Sequence, residues 1–168
     1  MSPDAGTPLS GADDREETRE MTDQVYYEDI AEGMSLPTRI KKPTPRQLVM
    51  WAGTAGEFSE MHYDIDFARE KGFPGIVVHG MLMTSFLAQL LTDWMGEWGT
   101  LKKLKTRNEQ FLLVNEEIIC RGSVVKKYIE GDTHYVACEL AAEKKNRECC
   151  VSATAIVTLP SREEVPRE

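Results

Sequence analysis

The segment that most restricts how this chain can fold is residues 80–98, GMLMTSFLAQLLTDWMGEW. Wound as a helix, it spreads Met81, Leu82, Met83, Phe86, Leu87, Ala88, Leu90, Leu91, Trp94 and Met95 over most of its circumference. Ser85, Gln89, Thr92 and Asp93 are confined to one stripe. A helix that apolar must be covered by protein on most sides, so the rest of the chain has to supply the cover. Beyond Gly99 the periodicity changes from helical to twofold. Ile118, Cys120, Val124 and Tyr128 share one face of 117–128, and His134, Val136, Cys138, Leu140 and Ala142 share one face of 134–142. Cys149, Val151, Ala153, Ala155, Val157 and Leu159 share one face of 149–159. These read as half-buried antiparallel strands with turns at Glu130-Gly131-Asp132 and Lys144-Lys145-Asn146, and residues 102–113 read as a further strand.

Upstream, residues 35–42 form a short strand that Pro37 places near a sheet edge. Thr44-Pro45 starts a helix that buries Leu48, Trp51 and Ala52 and fades at Gly53 and Gly56. Asp64 is the N-cap of a short helix closed by Gly72, and Phe73-Pro74-Gly75 is a turn leading into the buried stretch Ile76-Val77-Val78. The expected architecture is α+β: a single domain over residues 25–160, with an antiparallel β-sheet wrapped around one long central α-helix. A length of 168 residues suits one core rather than two. One sheet around one helix leaves an edge open, which predicts a dimer.

Of the net charge of −8, most sits in residues 1–24, where Asp4, Asp13, Asp14, Glu16, Glu17, Glu20 and Asp23 face only Arg15 and Arg19. That segment has no apolar periodicity and is expected to be a disordered tail, and residues 161–168 are expected to fray. The body carries no basic stripe, which argues against nucleic acid as a partner. It has no apolar run long enough to span a bilayer and no signal-peptide pattern, so no membrane association is expected and the expected location is the cytoplasm. Cys120, Cys138, Cys149 and Cys150 lack zinc or redox spacing and read as small core residues. The three histidines lack an accompanying ligand cluster, so no metal site is expected.

The chemistry-bearing residues fall in 55–91. Glu57, Ser59, Glu60, His62, Asp64, Ala68, Gly72, Phe73, His79, Gly80 and Met81, followed by the apolar helix and then strands, resemble the MaoC-like enoyl-CoA hydratases of the hot-dog fold. That family's segment runs Asp-x-Asn-Pro-x-His-x-Asp, then a short helix, a Gly/Phe turn, and His-Gly-Met at the start of the central helix. Three departures stand out: Glu57 replaces the family aspartate, Ser59-Glu60 replaces Asn-Pro, and Asn115-Glu116-Glu117 replaces a Pro-Gly-Asp turn.

The resemblance implies addition or removal of water across the double bond of an α,β-unsaturated acyl-CoA thioester. Glu57 and His62 would share the water, and the Gly80 backbone N–H would hold the thioester oxygen. Ser59, His79 and Met81 would lie beside the substrate. Coenzyme A enters as part of the substrate, or an acyl carrier protein takes its place, and no other cofactor is implied. Lys102, Lys103, Lys105, Arg107, Lys126 and Lys127 are either the phosphate contacts or an ordinary solvated face. Physically, an opening helix presents unpaired N–H groups at its positive end, and glycine lets a carbonyl approach closely. Structural readings stand beside these roles: Asp64 as a cap, His79 bonded to loop backbone, His134 in the core or an interface. Two other functions remain open. One is a thioesterase using Glu57 alone, and the other is a non-catalytic acyl-thioester-binding subunit. The assembly is a homodimer or higher homo-oligomer, or a heterodimer with another hot-dog chain.

Overall fold

A computed structural model describes residues 24–163. In chain order the elements are β1 (Arg39–Lys41), α1 (Pro45–Ala55), α2 (Ile65–Glu70), α3 (Gly80–Trp94), β2 (Thr100–Asn108), β3 (Ile118–Glu130), β4 (Thr133–Lys144) and β5 (Cys149–Thr158). The five strands form one antiparallel sheet in the order β1-β3-β4-β5-β2. α3 crosses its concave face against β2, β3, β4 and β5. The α+β wrapped-helix architecture expected from the sequence is therefore what the chain forms.

The core explains why. Leu82, Met83, Phe86, Leu87, Leu90, Leu91 and Trp94 are buried against Val124, Val136, Cys138, Leu140, Val151, Ala155 and Val157 from the sheet. Leu87 is wholly buried, and truncating such a side chain to Ala costs about 2–5 kcal/mol. Burial also pushes the thiols of Cys120, Cys138 and Cys150 up to about 11, which suits packing rather than thiolate chemistry. Cys149 departs from the expected alternation: it is half-buried while Cys150 is fully buried, because a register shift after Ala142 re-aims the start of β5.

Several boundaries differ from the sequence reading, among them β1, which covers Arg39–Lys41 rather than 35–42. α3 ends at Trp94 rather than Trp98, because Gly96 turns left-handed (φ 73°) and Gln24 clamps the end. The Gln24 amide donates to Met95 O at 2.9 Å and accepts from Trp98 N at 2.9 Å. β2 stops at Asn108 rather than running to 113, where the N–H groups of Glu109 and Gln110 both turn to Cys150 O. The chain then leaves the sheet to flank 76–78, with Val78 N donating to Leu112 O at 2.8 Å and Val114 N to Ile76 O at 3.0 Å. At 161–162 the chain packs back onto residues 28–29. Ser161 Oγ donates to Glu28 at 2.7 Å and Arg162 forks onto both oxygens of Asp29 at 2.7 Å. Residues 1–23 and 164–168, and so nearly all of the expected tail, lie outside the described residues. No helix among the described residues is long and apolar enough to cross a membrane.

Candidate active site

The site is assembled where three short segments meet the start of α3. α1 opens with a reciprocal cap: Thr44 Oγ1 accepts from Gln47 N and Gln47 Oε1 accepts from Thr44 N. It closes at Gly56 (φ 67°), whose left-handed turn sends Glu57 out of the helix direction. A single 3-10 turn over Glu60–His62 follows, and α2 is capped by Asp64, which accepts from Asp66 N and Phe67 N at 2.9 and 3.0 Å. That pair of bonds is the structural role foreseen for Asp64.

His62 is buried, and its Nδ1 lies 2.7 Å from Val77 O. A carbonyl only accepts, so Nδ1 carries the hydrogen and the neutral ring presents a bare Nε2. Nε2 stands 3.5 Å from Glu57 Oε1. Two acceptors facing each other at that distance are suited to share one proton, or to receive the two hydrogens of one water. The Glu57 side chain remains 44% exposed against 6% for His62, so water reaches the pair from the carboxylate side.

Behind His62 lies His79, fully buried, with ring centroids 3.7 Å apart and planes inclined by 21°. Its Nε2 donates to Glu57 O at 3.4 Å, and its backbone is the N-cap of α3. Burial and then the neighbouring His62 lower its pKa from the ordinary 6.5, which keeps it neutral.

Glu57, His62 and Gly80 open into one cleft of about 450 Å³, completed by Met61, Phe73, Val77, Met83, Asn108 and Phe111 among others. A Cβ built on Gly80 would stand 2.6 Å from Asn108 Nδ2, so glycine is what leaves room for that carboxamide against the helix start. On the other side of His62 a second depression of about 340 Å³ is walled by Leu48, Val49, Ala52, Phe58 and Tyr63, with His79 beside His62 at its floor.

The structure thus brings together Glu57, His62 and Gly80, and it stacks His79 behind them. Ser59 and Met81 do not line either depression. Ser59 is exposed and gives its carbonyl to His62 N at 3.1 Å, and Met81 is exposed on the outer face of α3. Lys127 is engaged inside the fold, donating to Tyr27 O and Ile30 O at 2.7 Å each, whereas Lys102, Lys103, Lys105 and Arg107 are exposed on β2. His134 lies beside Tyr27, ring centroids 4.7 Å apart, at the start of β4. Sequence reasoning missed Asn108 and Phe111, whose place depends on where β2 stops. It also missed the apolar depression, for which Val49 and Phe58, apolar but off the core face, were the available signal. No group of His, Cys, Asp and Glu suited to a metal ion occurs among the described residues.

Comparison with known proteins bears on the fold and the family. The chain superposes on the (R)-hydratase from A. caviae involved in PHA biosynthesis with TM-score 0.71 at 20% identity, covering 79% of this chain and 98% of that one. R-hydratase PhaJ1 from Pseudomonas aeruginosa gives 0.74 at 17% identity, covering 86% and 96%. The ChsH1-ChsH2 complex from Mycobacterium tuberculosis gives 0.68 at 21%, covering 77% and 98%. At these identities the likeness shows the hot-dog fold. No curated protein matches the sequence at a significant level. The family profile described as MaoC like domain matches residues 18–146, most of the chain, and the protein belongs to the MaoC-like dehydratase family.

Proposed function

We propose that the protein hydrates an enoyl thioester, or dehydrates the corresponding 3-hydroxyacyl thioester, in the cleft between Glu57, His62 and Gly80. The observation that carries this reading is the Glu57 Oε1–His62 Nε2 approach of 3.5 Å, in a cleft whose opposite wall is the start of α3. A water held there donates one hydrogen to each acceptor and turns its lone pair toward the β-carbon. As the C–O bond forms, the thioester oxygen gains negative charge and the Gly80 N–H meets it at the positive end of the helix. A proton relayed through the pair is then delivered to the α-carbon. The apolar depression past His62 takes the acyl chain, and the exposed lysines of β2 meet the carrier's phosphates.

The expected assembly uses the outer edge of β2, the last strand in the sheet order, to pair with a second hot-dog chain. The neighbouring ChsH1-ChsH2 structure is itself a complex. Sedimentation of the purified chain, alone and with a candidate second chain, reads whether the two copies are alike.

The activity is tested with crotonyl-CoA and longer enoyl-CoA substrates. Loss of the conjugated enoyl absorbance is followed together with release of free thiol, in wild type, Glu57→Gln and His62→Ala. Enoyl loss without thiol, abolished by both changes, is the expected result. Thiol release surviving His62→Ala would make the protein a thioesterase instead. Turnover appearing only after a second hot-dog chain is added would make this chain one subunit of the enzyme.

A further inference from the structure

We infer that His79 is the positioning residue of this site, holding the Glu57 loop and the His62 ring in register. The inference rests on reading Glu57 and His62 as the water-handling pair.

Three contacts converge on one buried residue, two through its ring and one through its backbone. The Nε2–H bonds the carbonyl of Glu57, the ring face lies on His62 at 3.7 Å, and the residue's own backbone caps α3 immediately before Gly80. The candidate carboxylate, imidazole and backbone donor come from separate turns of the chain, and His79 is the point at which all three are tied. The ring is fully buried and absent from the lining of the Glu57–Gly80 cleft, and it forms part of the floor of the apolar depression beyond His62. Its Nδ1 has no hydrogen-bond partner among the described residues. An unsatisfied buried acceptor costs free energy that an apolar ring would avoid, so an imidazole here calls for a reason other than packing. The bond to Glu57 O is that reason, since an aromatic hydrocarbon fills the same space and stacks on His62 but cannot restrain the loop. Neutrality belongs to the same role. Two stacked imidazolium rings would repel, so an uncharged His79 adds no charge against the face of His62.

His79→Phe keeps the stack and removes the donor, whereas His79→Gln keeps a donor and removes the stack. With crotonyl-CoA, or the best enoyl-CoA found, kcat is expected to fall about 100-fold in each, the usual cost of displacing a reacting group by about 1 Å, while KM stays within a few-fold. Nitrogen NMR of the histidine rings in the ligand-free protein supplies a second readout. In wild type His62 is expected as the Nδ1–H tautomer, with His79 neutral and Nε2–H throughout its range of folding. In the variants the His62 tautomers become mixed. Wild-type kcat in both variants overturns the inference, and so does a loss of kcat that follows thermal stability while the His62 signals stay unchanged. If neither variant folds, the wild-type spectrum decides: a charged His79 in the folded protein at about pH 7 overturns it. Absence of enoyl-CoA turnover by the wild type would remove the hydratase reading, and the NMR arm would still decide the positioning role.

Discussion

His62 and Glu57 face each other across 3.5 Å, yet the chain holds them in opposite ways. His62 sits on a 3-10 turn, buried, with one nitrogen fixed by the Val77 carbonyl and one ring face covered by His79. Glu57 stands on an exposed loop, and the restraints on its backbone are a left-handed glycine before it and the His79 bond to its carbonyl. A rigid acceptor paired with an adjustable one accommodates a change in carboxylate length on the adjustable side. The extra methylene of Glu57 relative to the family's aspartate falls on that side, where the loop can retreat without disturbing the core.

The largest expected effect comes from removing either half. Glu57→Gln and His62→Ala should each lower kcat by about 10²–10⁴-fold, the usual worth of a positioned acid or base, read as enoyl absorbance loss. Next is Glu57→Asp. If the loop is set for glutamate, drawing the carboxylate back by about 1.5 Å should cost about 100-fold in kcat, with the melting temperature unchanged. Wild-type activity in that variant would show the loop following the carboxylate freely, against the restraint assigned to the His79 bond on the Glu57 carbonyl. Gly56→Ala acts on the hinge alone. Its Cβ would enter open space, so the penalty is the left-handed backbone, about 1–2 kcal/mol by urea unfolding, with some loss of activity as Glu57 swings.

The smallest expected effect concerns pH. The folded-state pKa of His79 is lowered, so as pH falls the unfolded chain takes up this proton first. The contribution of the neutral ring is present above the ordinary value of 6.5 and is lost as pH drops below it. The urea midpoint should therefore decline between about pH 7 and 5, and His79→Phe should flatten that decline.

Much of this was legible in the residues. The all-round apolar helix and the twofold pattern after Gly99 determine the wrapped sheet, since nothing else buries both. Thr44, Pro45 and Asp64 mark helix starts through local bonds made within three residues. The ends of α3 and β2 were not legible. Gln24 acts on α3 from more than seventy positions away, and β2 ends at a bend against the Cys150 carbonyl. The same separation by range applies to the site. Glu57, His62 and Gly80 fall within one stretch with a recognisable spacing, whereas Asn108 arrives from a strand whose end the sequence does not mark. Ser59 and Met81 line neither depression, because side-chain direction depends on turn geometry rather than on order along the chain.

The docking of Ser161 and Arg162 onto Glu28 and Asp29, beside the Tyr27 N–Pro160 O bond of 3.0 Å, brings the two ends of the described chain together. Joining them by a short connector and opening the chain at the exposed Glu130–Asp132 turn would give a circular permutant that keeps α3 and all five strands in place. For the same reason, two copies fused head to tail would each leave and enter at one corner, so the connector need not cross the cleft.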